Sequence, residues 1–475
     1  MKFLLKSIQQ KGFIVIFTDI RFWILLFFVL RLFNINSPIF DSHNWRQSDG
    51  YAIARNFYEI DANILYPRVD HAGNLTGIMG SEFPIMNYIV HLSYYIFDVD
   101  WWQGRLLNLI LSSLGCFYLY KILKQFINTK IAFSATLFLL SSLWFSHSRK
   151  FMPDVFSASL VIIAIYFGWR YLKDNKSYFY LILYFILITF GLLSKLPAFV
   201  VVALITPAIF DNSILLKRKL IFILTSIIAL IPVLWWYFYW APKLTSDFGY
   251  YYFFMGSSIS SSILFLITDW QGTLQRFYVD AMSYIGFGLY LIGIVLLIVK
   301  KEFKILMVFI SGSLILFMFM LKGGMTFAHH TYYIMPFVPI MTIVAAYTIS
   351  LIQIKWLKFI LISAVIFEGV ANLQHDLMPK PNLDYRLDFE NISNTYTQKQ
   401  DLIAVNNEGN PALLYFAHRK GWSIPSNSND SKFNEIFIKG CKLIIWDKHN
   451  APEPQIIPHF IKVEENKDYA VYKAE

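Results

Sequence analysis

Charge is scarce in this chain. Only 15% of its 475 residues are Asp, Glu, Lys or Arg, against 56% hydrophobic and 18% aromatic. With a mean hydropathy of +0.49, that composition excludes an ordinary soluble domain and indicates a polytopic membrane protein. Cysteine is almost missing. Cys116 lies in an apolar run and Cys441 at the start of a strand-like segment, which argues against a disulfide scaffold and makes neither a good nucleophile. A Gly-rich phosphate loop, a metal-ligand cysteine spacing and an internal repeat are also lacking. The N-terminal MKFLLKSIQQKGF has no small-residue cleavage site after a continuous apolar core, so the first span is expected to act as an uncleaved anchor.

What the chain has in quantity is long apolar runs. At about 20 residues per bilayer crossing, eleven spans are expected, near 19–36, 103–122, 130–147, 154–172, 178–194, 196–212, 219–240, 282–300, 304–321, 332–353 and 356–373. The net charge of +10 sits in the short gaps between them, where it sets topology and offers nothing to nucleic acid. With a cytoplasmic N-terminus, the inner loops hold Lys2, Lys6 and Lys11, Lys121, Lys124 and Lys130, Arg170, Lys173 and Lys176, Lys217 to Lys219, Lys300, Lys301 and Lys304, and Lys355 with Lys358. Only Arg149, Lys150, Lys195 and Lys322 fall in the short outer connections. The positive-inside rule thus places the C-terminus outside as well.

Two outer loops are long, about 37–102 and 241–281. The second is aromatic and Ser/Gly-rich (DFGYYYFFMGSSISSS) and is expected to form a membrane-facing lid or substrate groove. From about residue 372 the apolar runs stop and charge rises. Residues 401–407 and 441–447 read as buried strands, 411–422 and 433–439 as helices, and FIKVEENKDYAVYK as a terminal hairpin. The expected organisation is an α-helical transmembrane domain over 1–371 and a small soluble α/β domain over 372–475.

The polar residues concentrate in FDSHNWRQSDGYAIARNF, residues 40–57. Between apolar segments, Asp41, His43, Arg46, Gln47, Asp49 and Arg55 must lie in water or line a polar cavity, since leaving them in lipid costs several kcal/mol each. The second half reads as a short amphipathic helix on the membrane surface, with Ser48 or Asp49 at its N-cap. Capping and catalysis are compatible roles for Asp49. Glu82 lies in the same loop, Asp154 in the turn SRKFMPD, and His329 and His330 before the tenth span. An acid at a helix end is more often a cap than a catalyst, and Pro153 before Asp154 fits a plain helix start. Convergence on one outer face is what would make them a site.

Moving a sugar off a phosphate-linked lipid needs a carboxylate to take the acceptor proton and cations to stabilise the departing phosphate. Asp49 is the first candidate for the former. Arg46, Arg55, Arg149, Lys150, Lys195, His329 and His330 are available for the latter. Lys195 can equally snorkel to the interface. The histidine pair with Glu82, through His330, could ligate a divalent metal.

The ordered series HNWRQSDGYAIARNFYE, LYPRVD, GSEFPIMNYIV, GRLLNLILSSLG, SRKFMPD, GLLSKLPA and HHTYYIMPFVPIM resembles bacterial members of the GT-C superfamily of polyprenyl-phosphate-dependent glycosyltransferases, the group that includes protein O-mannosyltransferases and lipid A aminoarabinose transferases. The resemblance spans roughly the first three-quarters of the chain. It implies two juxtamembrane helices in the first outer loop, a periplasmic active site, a polyprenyl-phosphate sugar as donor, and inversion by direct attack. It matches Asp49 to the first-loop catalytic acid, Glu82 to the acid before the second juxtamembrane helix and Asp154 to the second-loop acid. Lys195 and the histidine pair fall on the donor-phosphate side. Many relatives carry adjacent Asp-Glu where this chain has Arg46-Gln47, which leaves Asp41 as the alternative base. Phe83 stands where the aminoarabinose branch has a lysine, so that branch's substrate is not implied. The expected protein is an inner-membrane transferase whose partners are a lipid-linked donor, a periplasmic lipid, glycan or protein acceptor, and membrane lipid. A flippase of lipid-linked saccharides is the alternative; it would need polar groups near the bilayer midplane and related halves.

Overall fold

A computed structural model describes residues 14–174, 177–250 and 256–475. Lys2, Lys6, Lys11 and Lys176 of the topology reading, the N-terminal stretch MKFLLKSIQQKGF, and residues 251–255 of the aromatic loop lie outside the described residues. By contacts the chain divides into two compact units. One comprises Met1–Ile35, Arg105–Trp236 and Phe254–Leu377, the other Asn36–Gly104, Tyr237–Phe253 and Met378–Glu475.

The first unit is helical. Each of the eleven apolar segments contains a helix. Among the described residues, five helices are long and apolar enough to cross a membrane, and a sixth candidate span is the pair Trp270–Ala281 and Ser283–Val299, bent by 103° at its break. Thr129–Ser141, Phe179–Ser194, Leu196–Ile209 and Val338–Leu351 are apolar but shorter. The helix Pro153–Lys173 shows why the ends fall where they do. Pro153 opens it at a position that needs no backbone donor, Asp154 sits in the first turn, and Arg170 and Lys173 sit in the last, each charge matched to the helix dipole. Burial along nearly its whole length makes it the centre of the unit, packed against Phe179–Ser194 and Leu196–Ile205.

The described residues of the segment 241–281, expected as the second outer loop, are largely helical rather than irregular. The span Leu216–Trp235 runs on through a π-helical turn, Trp236–Trp240, into Ala241–Phe248, and Ile259–Thr268 and Trp270–Gln275 follow. Loop composition misled because Ser258 and Asp269 are helix caps, each accepting a bond from a backbone N–H three residues on.

In the second unit, helices Asn44–Glu59 and Ile85–Phe97 pack together. Ile85–Phe97 buries Met86, Val90, His91 and Tyr94 on one side and exposes Ile89, Leu92, Tyr95, Ile96 and Phe97, the pattern of a helix lying in a membrane interface. Asn44–Glu59 departs from the amphipathic surface helix expected of it. From Gln47 to Phe57 nearly every residue is buried, because it also packs against Ala412–Ala417. Its N-cap is His43, with φ +61°, which corrects the capping assignment: Asp49 belongs to the helix interior.

The C-terminal residues form a five-stranded sheet of β1 (Leu402–Asn406), β2 (Gly421–Ile424), β3 (Cys441–Asp447), β4 (Phe460–Glu465) and β5 (Tyr469–Ala474), in order β2-β1-β3-β5-β4. The first three are parallel and the last two antiparallel, so helices Ala412–Ala417 and Asp430–Ile438 serve as crossovers. Residues 411–422, read as one helix, divide into a helix and β2. His418 ends the helix in the left-handed region at φ +50°, and Gly421 begins the strand at φ +149°. A Cβ on Gly421 would lie 1.8 Å from the Ile403 carbonyl oxygen, so only glycine fits. That glycine also exchanges backbone bonds with the segment 37–102: its N–H donates to the Asp70 carbonyl at 2.9 Å, and its own carbonyl accepts from Gly73 at 2.7 Å. Burial pushes the Cys441 thiol up to about 12, in keeping with an inert cysteine.

Candidate active site

The second unit holds a buried carboxylate with cations around it. Asp49 lies in the second turn of Asn44–Glu59. Its Oδ1 is 3.3 Å from His71 Nδ1, close enough for charge attraction but not aligned as a hydrogen bond. One turn earlier, Arg46 Nη2 donates to Glu82 Oε1 at 2.6 Å. Gln47 Nε2 donates to Asp41 Oδ1 at 2.7 Å, so the alternative base belongs to the same neighbourhood. Asn87 donates to the Gly50 carbonyl at 2.7 Å and fastens the second juxtamembrane helix to the residue after Asp49. Tyr250 presents its ring at 90° to His71, 5.6 Å between centres.

Burial raises the Asp49 carboxyl above its ordinary value; His71 and Arg46 pull it back, while Asp70 and Glu82 push the same way as burial. A carboxylate so perturbed is a better proton acceptor when ionised than a solvated one. Burial and the Asp49 charge also raise the Tyr250 phenol, which keeps it neutral.

Arg55, on the same helix, is occupied structurally. It donates to Asp70 Oδ2 at 2.9 Å and to the Tyr415 carbonyl at 3.2 Å, and its guanidinium lies 4.6 Å over the Tyr415 ring. Asn56 binds the other Asp70 oxygen at 2.9 Å.

The remaining candidates are in the first unit. Lys195 caps the C-terminus of Phe179–Ser194. Its Nζ is 3.8 Å from Asp154 Oδ1, both side chains buried, and it lies over the rings of Tyr332 and Tyr333 at 5.5 and 5.7 Å. His330 stacks on Tyr332 with centres 5.2 Å apart. Residues 154, 195, 330, 332 and 333 therefore form one cluster. His329 is more exposed and sits 3.8 Å from Asp269. Lys150 pairs with Asp376 at 3.0 Å, and Arg149 donates to the Asn34 carbonyl at 2.8 Å. Asn108 ties down their turn by donating to the carbonyls of Lys150 at 2.7 Å and His147 at 3.2 Å.

Three participants escaped the sequence reading: His71 beside Asp49, Asp70 as the partner of Arg55, and Asp376 as the partner of Lys150. The dipeptide Asp70-His71 in a polar outer loop was the available signal for the first two. For Asp376 there was none, because its partner is more than 200 residues away in the chain. No group of three His, Cys, Asp or Glu side chains that could hold an ion occurs among the described residues, and Glu82 is engaged by Arg46.

Residues 81–237 match the family model described as dolichyl-phosphate-mannose-protein mannosyltransferase. The chain is similar in fold to ArnT from Cupriavidus metallidurans bound to undecaprenyl phosphate, at 11% identity and TM-score 0.61, covering 95% of this chain and 97% of that one. It is similar also to AglB, the oligosaccharyltransferase of Archaeoglobus fulgidus, in complex with an inhibitory peptide and a dolichol-phosphate, at 11% identity and TM-score 0.54, covering 90% and 69%. A structure of the Archaeoglobus enzyme with Zn and sulfate gives 12% identity, TM-score 0.55, and 89% and 68% coverage. None of the curated proteins matches. The family match covers residues 81–237 alone, and the likeness to the solved structures, at 11–12% identity, is one of fold, that of a multi-pass membrane protein.

Proposed function

We propose that the protein is a glycosyltransferase of the bacterial inner membrane. It moves a sugar from an undecaprenyl-phosphate-type donor to a lipid, glycan or protein acceptor on the periplasmic face. The observation that carries this reading is Asp49: a carboxylate inside a helix, buried, raised by that burial and flanked by His71 and Arg46. Asp49 is not the helix cap, since the helix starts five residues earlier with His43 at the N-cap position. Such an expensive placement is the usual mark of a proton acceptor.

In the reaction, the acceptor oxygen attacks the anomeric carbon and hands its proton to Asp49. The bond from that carbon to the phosphate oxygen breaks, and its electron pair leaves with polyprenyl phosphate. Glu82 orients Arg46 through their 2.6 Å hydrogen bond. For the departing phosphate the first unit offers Lys195, with Asp154 near its ammonium and Tyr332 and Tyr333 beneath it, a cation suited to the charge that develops there. Arg149, Lys150, His329 and His330 are the further candidates for the donor phosphate. No step is assigned to a divalent ion, because the donor set for one is missing among the described residues.

The test is to incubate the purified protein with a panel of labelled polyprenyl-phosphate sugars. Label leaving the carrier with at least one of them supports the transferase. Movement of intact lipid-linked sugar across a vesicle, without cleavage, would instead make it a flippase.

Asp49 also sets an expected pH dependence. It must be ionised to accept a proton, so kcat/KM falls as pH drops through its pKa, and because that value is raised the fall begins above the ordinary aspartate range of about 3.9. His71 lowers the Asp49 value. His71→Phe is therefore expected to move the acid limb to higher pH while leaving the alkaline limb in place. A profile of the variant that superimposes on the wild type would remove His71 from the site.

A further inference from the structure

Toward the C-terminal end of the helix that carries Asp49, the second unit contains a cavity of about 480 Å³ lined by Arg55, Asn56, Glu59, Ile60, Asp70, Lys399, Gln400, His418, Arg419 and Lys420. We infer that this cavity is a binding site for an acidic saccharide, one that carries a phosphate or a carboxylate.

Three observations lead there. The first is charge. Five lining side chains are basic and two are acidic.

The second is how those bases are already used. Arg55 is held by Asp70. Lys399 lies 3.2 Å and His418 2.9 Å from Glu59, and His418 also lies 2.8 Å from Glu390. Burial pushes Glu59 up, yet the bonds from His418 and Lys399 outweigh it and hold the carboxyl down at about 2. Arg419 donates to Thr397 Oγ1, Asn394 Oδ1, the Thr397 carbonyl and the His418 carbonyl. Lys420 differs. Its backbone is fixed, the carbonyl accepting from the Ile403 N–H at 3.0 Å at the start of edge strand β2, but its ammonium makes no hydrogen bond or ion pair with any described residue. Burial lowers its pKa, with Asp70 opposing and Arg68 and Arg55 adding to the depression. A solvated surface lysine would not be so perturbed. A half-buried ammonium among other cations is costly until an anion meets it.

The third is polarity. Ile60 is the one apolar side chain in the lining, whereas sites for apolar ligands are walled by hydrophobic and aromatic groups. Glu59, Asp70, Asn56 and Gln400 offer acceptors and amides to hydroxyls. The volume falls within the range of small-molecule sites. Cations for one acidic group and polar atoms for many hydroxyls describe an acidic sugar better than a lipid tail or a neutral peptide.

The experiment is calorimetric titration of the full-length, detergent-solubilised protein with glucose 6-phosphate, glucuronate, glucose and inorganic phosphate. It is carried out in both the wild-type and the Asp49→Asn background, so that loss of transfer activity does not affect the reading. Saturable binding of glucose 6-phosphate or glucuronate, absent with glucose, is expected, together with an affinity at least about tenfold weaker in Lys420→Gln and restored in Lys420→Arg. Melting temperatures of both variants confirm that they are folded. The proposal is overturned if neither acidic sugar binds below about 10 mM, if glucose binds as well as they do, or if Lys420→Gln binds like the wild type. Inorganic phosphate binding as tightly as glucose 6-phosphate would assign the cavity to the free anion and overturn the saccharide assignment.

Discussion

Asp49→Asn is expected to abolish sugar transfer, lowering kcat by at least about 10²-fold and up to about 10⁴-fold, the range that a positioned general base contributes. The substitution conserves shape, and the energetics favour its folding. Asp49 has a raised pKa in the folded state, so its contribution to stability is complete below the unfolded value and is lost as pH rises through the folded one. At neutral pH the ionised side chain therefore costs stability, and a neutral amide relieves that cost. Expression, membrane insertion and melting temperature should match or exceed those of the wild type. Asp41, tied to Gln47, is the internal control: Asp41→Asn should retain most of the activity. If that variant is the dead one and Asp49→Asn turns over normally, the base has been misassigned.

Lys195→Met should be nearly as damaging, through the donor. A buried ammonium 3.8 Å from Asp154 and above two tyrosine rings is suited to a charge that grows on the leaving phosphate, and removing one such electrostatic stabiliser typically costs about 10²–10³-fold in kcat. The loss could also arise from structure alone, because it leaves Asp154 buried without its cation. The double variant Lys195→Met/Asp154→Asn separates the two. It should recover the melting temperature while the rate stays low, and Lys195→Arg should restore part of the rate. Recovery of the rate in the double variant would make Lys195 purely a partner of Asp154.

Much of this architecture was legible in the sequence because membranes impose a simple rule: every backbone polar group must be satisfied within its own segment, so long apolar runs become helices. The eleven segments each contain one, and the strands 402–406 and 441–447 were readable as short β-rich runs. What failed were features set by neighbours distant in the chain. The Asn44–Glu59 helix looked amphipathic because Arg55, Tyr58 and Glu59 share a face, but Asp70 and the Tyr415 carbonyl satisfy Arg55 and so allow it to be buried, while Tyr58 and Glu59 stay more open. Strand β2 was invisible because only the positive φ at His418 and Gly421 separates it from the helix before it. Of the candidate site, the acids and bases could be picked out from the sequence as residue types in a polar stretch. Their partners His71 and Asp376 could not, since spacing records nothing about contacts made across tens or hundreds of residues.

Direct attack by the acceptor on the anomeric carbon, with Asp49 taking the proton, has a stereochemical consequence that no other feature of the site can imitate. NMR determination of the anomeric configuration of the product, set against that of the polyprenyl-phosphate donor, therefore tests the account at its centre. Inversion is the predicted result. Retention would require a covalent sugar–enzyme intermediate and would contradict a base acting on the acceptor alone.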